Sequence, residues 1–510
     1  MAKGIVAAGH ELTARAAEEV LVDGGNAFDA AIAACYAACV AEPVLASPGG
    51  GGFLLARPAR GEAVVYDFFV QTPGARNTTD LDFRPILADF GTTRQEFHIG
   101  QASVAVPGVV RGLFQVHRDL ASMPMRELVS PALTYCRDGI EVNAFQAYIL
   151  DIVSPIFLHQ AACRATYAGQ ASSGLLAAGD RYHHARLADS LESISIEGER
   201  LFYEGEIAEQ IVSASASGGL LSADDLRTYE CIRRRPLQFG YRDWTVLSNP
   251  PPSSGGVLIA FAMQLLAQLD TSDCRSDSFE HVQALILALE LTQQARLDHG
   301  HQLDRLQDLL QVDLLAEYQQ DIRQRARAYR GTTHFSIIDR QGNMAALTLS
   351  NGEGCGELVG NTGIMLNNML GEQDLNPRGF FEWQPKQRMT SMMAPSLMLG
   401  PDGEHLVTGS GGSNRIRSAL LQVMINVVDY GMSPEAAVAA PRLHYEAEQL
   451  NLEALYPTET LERISTTHPD ARLWPELNLY FGGAHTVMQQ GKGFSGAGDQ
   501  RRGGVCRQVS

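Results

Sequence analysis

The sequence predicts a protein of mixed α and β structure, and three observations carry that expectation. Residues 110 to 330 are mostly helical in pattern. Short apolar runs of strand length, Phe53 to Ala56 and Ala63 to Phe68, come before them. After them, two alternating runs, 333–338 and 344–349, are joined by the turn Asp339-Arg340-Gln341-Gly342-Asn343, which predicts a hairpin. With 510 residues the chain can bury a large core, as one unit or as two ordinary domains.

Residues 10 to 42 read as two helices broken at Asp23-Gly24-Gly25-Asn26. A glycine there supplies a left-handed C-cap, and Asn26 caps the next helix. That second helix is alanine-rich on every side, so it is expected to be packed on every side. Ser47-Pro48-Gly49-Gly50-Gly51-Gly52 follows. It lacks the Lys-Ser/Thr of a phosphate-binding loop, so close backbone packing is the better reading. Further helices are expected at Glu199 to Ser213, Ser222 to Leu226 (capped by Ser222), Val257 to Leu269 behind the turn Pro250 to Gly256, and Phe279 to His299. Ile322 to Arg330 is arginine-rich and helical in pattern. In the hairpin, Thr333, Phe335 and Ile337 point to one face and Thr332, His334 and Ser336 to the other. A glycine-rich loop, Thr408-Gly409-Ser410-Gly411-Gly412-Ser413-Asn414-Arg415, opens the amphipathic helix Ile416 to Tyr430.

The formal net charge of −18 disfavours nucleic acid and anionic membranes as partners. Met1 to Val6 leads at once into a polar helix without an apolar leader, and Ala30 to Ala41 is too short to span a bilayer, so a cytoplasmic location is expected, or a periplasmic one if the true start lies upstream. The eight cysteines are scattered, and only Cys35 and Cys39 share a helix face. Reduced core thiols, no metal and no cofactor are expected.

The bond Gly331-Thr332 sits at the mouth of the hairpin. Were it cut, Thr332 would carry a hydroxyl nucleophile and its own α-amine. An α-amine titrates near about 8, so it can take the hydroxyl proton without a histidine.

Gly331 to Asp339 resembles the processing site of the gamma-glutamyltranspeptidases. The match includes Gly24 to Ala31, Pro48 to Phe53, Val106-Pro107-Gly108, Pro250 to Gly256, Leu366-Asn367-Asn368, Ser391 to Pro395, Gly409 to Arg415 and Arg501 to Gly504, in the family's order. The resemblance implies an α+β fold, the four-layer αββα sandwich of the N-terminal nucleophile hydrolases. It implies a precursor cut by Thr332 at Gly331 into a large subunit, 1–331, and a small one, 332–510, that stay associated. It makes Thr332 the nucleophile and Ser350 its hydroxyl neighbour. The oxyanion donors fall at Gly412 and Ser413, or at Gly411 and Gly412, depending on the alignment. Asn351, Glu372, Thr390 and Ser391 become substrate-binding positions.

Three departures bear on the substrate. Phe69, in Asp67-Phe68-Phe69, stands where the family has the arginine that holds the substrate's α-carboxylate. A phenyl ring cannot make that charge-assisted pair. Either Arg76 does so, or the substrate lacks the carboxylate. Met369 replaces a Gln or Glu, and Gly379 to Lys386 is a short version of the active-site lid. The first expectation is therefore transfer of a gamma-glutamyl group from a glutathione-like amide to water or an amine. The alternative is an acylase or a carbon–carbon hydrolase with a non-glutamyl substrate. An inactive, uncleaved homologue is the third.

Overall fold

The hairpin lies at the centre of a seven-stranded sheet. The computed structural model describes residues 2–75, 79–89, 94–269, 274–299, 310, 332–376, 378–446 and 448–510. Arg76, the stretch 322–330 and Gly331 lie outside the described residues.

In chain order the core strands are β1 (Gly4–Ala8), β2 (Gly51–Arg57), β3 (Val64–Phe68), β4 (Ile232–Arg234), β5 (Leu237–Tyr241), β6 (Trp244–Ser248), β7 (Thr333–Asp339) and β8 (Met344–Ser350). They continue with β9 (Ser396–Leu399), β10 (His405–Gly411), β11 (Gly483–Gln490), β12 (Gly493–Ala497) and β13 (Val505–Val509). The first sheet runs β13-β1-β7-β8-β2-β3-β4, and the second β12-β11-β10-β9-β6-β5. Neighbours in both are antiparallel. Both sheets draw strands from either side of Thr332.

The alternation of β7 and β8 separates two cores. Phe335, Ile337, Leu347 and Leu349 pack with helices α1 (Glu11–Val22) and α2 (Ala27–Ala41). Ile338, Met344 and Ala346 face the other way, into a cluster with Leu397, Val407 and Val487 of the second sheet. Helices α3 (Gly255–Leu266), α4 (Phe279–His299) and α5 (Arg415–Val428) complete that side, with α5 on β10 and β11. The result is the expected four-layer αββα sandwich.

Local chemistry explains the element ends. The Asn26 side chain accepts from the Asp29 backbone, and the Asp29 carboxylate accepts from the Asn26 N–H, a reciprocal cap that starts α2. All of α2 is buried, as its alanine-rich surface predicts. Some expectations are corrected. Among the described residues the stretch 110–330 is mostly helical as expected, but it also supplies β4, β5 and β6, which the sequence reading did not place. The helix expected over 199–213 is two, Arg200–Tyr203 and Glu206–Ser215, broken at Glu204-Gly205. The resemblance makes Ala497 to Gly504 a buried terminal strand, but these residues do not form the last strand. They make a 3₁₀ turn at Gln500–Arg502, and the strand begins at Val505.

Candidate active site

Thr332 directly precedes β7 and is buried. The ladder pairs Thr333 with Leu349, so one further step sets Thr332 opposite Ser350. By alternation Thr332 shares the inter-sheet face with His334 and Ser336. The second sheet meets it there. A β-carbon at Gly411 would lie 2.0 Å from the Thr332 carbonyl oxygen, so only glycine allows this approach. On the other flank, a β-carbon at Gly50 would lie 2.4 Å from the Ser350 carbonyl oxygen. The glycine run thus packs backbone to backbone beside Thr332, as expected from the sequence.

After Gly411 the chain turns left-handed, with φ of 120° at Gly412 and 55° at Ser413, and α5 begins. Among the described residues, neither the Gly412 nor the Ser413 N–H donates to a protein acceptor. Two unspent donors at a helix N-terminus, beside Thr332, form an anion-receptive corner. Of the expected oxyanion donors, Gly412 and Ser413 have the free N–H groups. Gly411 ends β10 and supplies the close approach.

Neighbouring side chains hold this corner rigid. His334 shares hydrogen bonds with the hydroxyls of Thr348 (2.8 Å) and Ser336 (2.9 Å). Burial holds its pKa well below the usual value, so it is a neutral packing group and not a base. Ser350 Oγ accepts the Gly352 N–H at 3.0 Å. The next residue, Thr333, donates to the buried Glu42 carboxylate at 2.7 Å, and Thr13 donates to the other oxygen at 2.7 Å. Burial raises Glu42 to about 7 against the pull of these two hydroxyls.

The expected substrate-binding positions fall into two groups. Asn351 and Glu372 lie beside Ser350. A β-carbon at Gly352 would meet Glu372 Oε1 at 2.3 Å. Asn351 is fully buried, and among the described residues neither of its amide atoms has a hydrogen-bond partner. Thr390 and Ser391 lie instead on the Pro250–Gly256 turn. Thr390 donates to the Pro252 carbonyl (2.9 Å), and the Ser391 carbonyl accepts from Ser253 (2.9 Å).

Phe69 does not join them as a polar contact. It is buried and stacked on Phe53, with ring centroids 5.3 Å apart. The nearby buried Arg388 does not replace the missing arginine. It donates to the Phe69 carbonyl, to Tyr229 Oη (2.5 Å) and to the Glu230 carbonyl (2.6 Å), and pairs with Asp67 (3.4 Å). Met369 is core.

Next to Thr390 a cleft of about 480 Å³, open mouth included, is lined by Thr72, Leu375, Arg378, Trp383 and Met389 among others. Phe83, His98, Phe380, Phe381 and Trp383 form a continuous aromatic cluster at this edge.

Sequence reasoning missed Glu42, Arg388 and Arg502. The doublet Arg501-Arg502 was a visible signal, but nothing local showed that both side chains are buried. Among the described residues no group of three His, Cys, Asp or Glu side chains is disposed to hold a metal ion.

The family model for gamma-glutamyltranspeptidase matches residues 13–509. A glutathione hydrolase proenzyme of Escherichia coli (strain K12) is 31% identical over 501 residues, spanning 91% of this chain and 84% of that protein. An acylase ACY 1 proenzyme of Pseudomonas sp. (strain V22) is 29% identical over 491 residues, spanning 91% and 86%. The solved cephalosporin acylase from Bacillus halodurans shares the fold, with a TM-score of 0.84 at 23% identity over 99% of this chain and 96% of that one. The match across nearly the whole chain and the four-layer sandwich around Thr332 lead to one assignment: this protein belongs to the gamma-glutamyltranspeptidase family and has the N-terminal nucleophile hydrolase fold.

Proposed function

We propose that the chain cuts itself before Thr332 and then hydrolyses an amide through an acyl ester on that residue. The observation that carries this is the close approach of Gly411 to the Thr332 carbonyl, with the unspent Gly412 and Ser413 N–H groups following directly. In the reaction Thr332 Oγ1 attacks the substrate carbonyl carbon and its proton passes to the Thr332 amine. The negative charge on the carbonyl oxygen falls to the glycine-loop donors. Collapse breaks the C–N bond, the amine proton goes to the leaving group, and water or an amine then takes the acyl group.

We infer further that the acyl group lacks the α-carboxylate of a γ-glutamyl donor. Phe69 is committed to the apolar stack with Phe53, and Arg388 to its contacts with Asp67 and Tyr229. The aromatic cleft beside Thr390 suits an extended or aromatic acyl chain. The second reading, γ-glutamyl hydrolysis or transfer, is favoured by the glutathione hydrolase relatives and by the retained hydroxyls of Thr390 and Ser391.

A panel of p-nitroanilides, γ-glutamyl against aliphatic and aryl-acyl, separates the two. A charge-assisted hydrogen bond is worth about 1.5–3 kcal/mol, so its absence costs roughly tenfold to over a hundredfold. The expected result is a kcat/KM for at least one neutral acyl anilide tenfold or more above the γ-glutamyl compound. The reverse order would return the substrate to γ-glutamyl amides.

A further inference from the structure

Three buried arginines crowd the end of the chain, and two of them have carboxylate partners. Arg442 pairs with Asp499 at 2.6 Å. Arg501 pairs with Glu453 at 2.6 Å and with the other Asp499 oxygen at 3.3 Å. Arg502 is different. Among the described residues no carboxylate lies within ion-pair distance of it, and its Nε, like that of Arg442, has no acceptor. Its Nη2 donates to the Leu479 carbonyl at 3.3 Å, and its Nη1 to the Thr332 carbonyl at 3.4 Å. It also borders the glycine loop. A β-carbon at Gly411 would lie 3.2 Å from Nη1, and one at Gly412 would lie 3.0 Å from Nη2.

A buried cation without a carboxylate is costly, and such a cost is met where the charge acts on something nearby. We propose that Arg502 is a positioning residue for the nucleophile: it fixes the Thr332 carbonyl and sets a positive field across the glycine loop, which keeps the freed Thr332 amine in its free-base form near neutrality and adds to the oxyanion corner. This rests on the reading of Thr332 as the nucleophile. Burial and the neighbouring Arg415 lower Arg502 to about 10, so it stays charged at neutral pH. The buried Glu372 carboxylate lies on the Ser350 flank, against Gly352, and opposes this field, whereas Arg502 lies on the glycine-loop flank, against Gly411 and Gly412. Burial keeps His334 neutral and holds His485 at about 4. The Asp499 carboxylate is taken by Arg442 and Arg501. Glu42 reaches the hairpin through Thr333 on the opposite face. A like charge within about 4–6 Å lowers an amine's pKa by on the order of one unit or more. A weaker base that titrates near the working pH is better suited to the proton transfer.

The test titrates the amine directly and needs no substrate. Competitive labelling of the N-terminal amine of the 332–510 fragment with acetic anhydride, read by mass spectrometry from pH 5 to 10, gives its pKa. The same protein in guanidinium chloride supplies the unfolded reference. The wild-type amine is expected about one unit or more below that reference. Arg502→Lys should keep the shift and Arg502→Met should lose it, an effect that a merely structural role would not produce. A wild-type amine at or above its unfolded value overturns the proposal, even if Arg502→Met fails to fold or cleave. An unchanged shift in a cleaved Arg502→Met protein also overturns it. A wild type that never cleaves overturns this proposal together with the catalytic reading, and the missing fragment identifies that case.

Discussion

The proposed nucleophile corner and the proposed acyl-recognition wall are built by different means. At the corner, backbone meets backbone. Gly50 abuts Ser350, Gly411 abuts Thr332, and among the described residues the Gly412 and Ser413 N–H groups are left unspent. At the wall, side chains decide. Phe69 fills its place by stacking on Phe53, Arg388 is spent on Asp67 and Tyr229, and aromatic rings line the cleft edge. Backbone geometry sets the reaction and is indifferent to the acyl group. Side-chain chemistry sets the acyl group and can change while the reaction stays. On the proposed reading, the chain keeps the family's pattern at Thr332 and departs from it at Phe69 and Met369.

The largest test of this contrast is Thr332→Ala. Processing and acyl transfer should both disappear, with a loss of roughly 10⁴-fold or more, measured by fragment formation and by trapping an acyl adduct. The wall should respond in stability instead. Phe69→Ala removes a buried, stacked ring and should cost about 3–5 kcal/mol in urea unfolding. Phe69→Arg should cost at least as much, because it buries a charge without a partner. An unaffected Phe69→Ala protein would mean that the ring faces substrate rather than core.

Gly411→Ala is a change of one carbon, yet it should slow self-cleavage by on the order of 10²–10³, as loss of an oxyanion donor does, because the loop must move away from Thr332. The same substitution at Gly240, an exposed β5 position where an added β-carbon meets nothing within 4 Å, should leave cleavage alone.

The smallest effect concerns the support beneath the corner. Glu42 has its folded pKa raised to about 7 from 4.5, so the folded state holds more protons than the unfolded one between these values. Stability from this group is then highest below about 4.5 and falls as pH rises through 7, by about 3 kcal/mol in all. Glu42→Gln should remove that slope. The stability difference between variant and wild type, followed by urea unfolding from pH 4.5 to 8, checks it.

Much of this was legible along the chain. The break at residues 23–26, the α4 helix over Phe279–His299 and the hairpin follow from local signals: caps, apolar runs and alternation. The position of Thr332 at a strand mouth followed from the same alternation. Strands β4 to β6 were not legible. They are short, their first member is arginine-rich, and their pairing partners β3 and β9 are remote in sequence. Charge networks were the least legible part. Arg388 meets Asp67 across 321 positions, and whether Arg501 or Arg502 finds a carboxylate depends on where Glu453 and Asp499 are carried by the fold. The commitment of Phe69 to the core could not be separated from a substrate contact until Phe53 was seen against it.

The central claim is that Thr332 is an N-terminal nucleophile released by the chain itself. The intact mass of the purified wild-type protein under denaturing conditions tests it most directly. Two species, one ending at Gly331 and one beginning at Thr332, are predicted, with a single full-length species for Thr332→Ala. A wild type that remains one chain over days at neutral pH would contradict the claim.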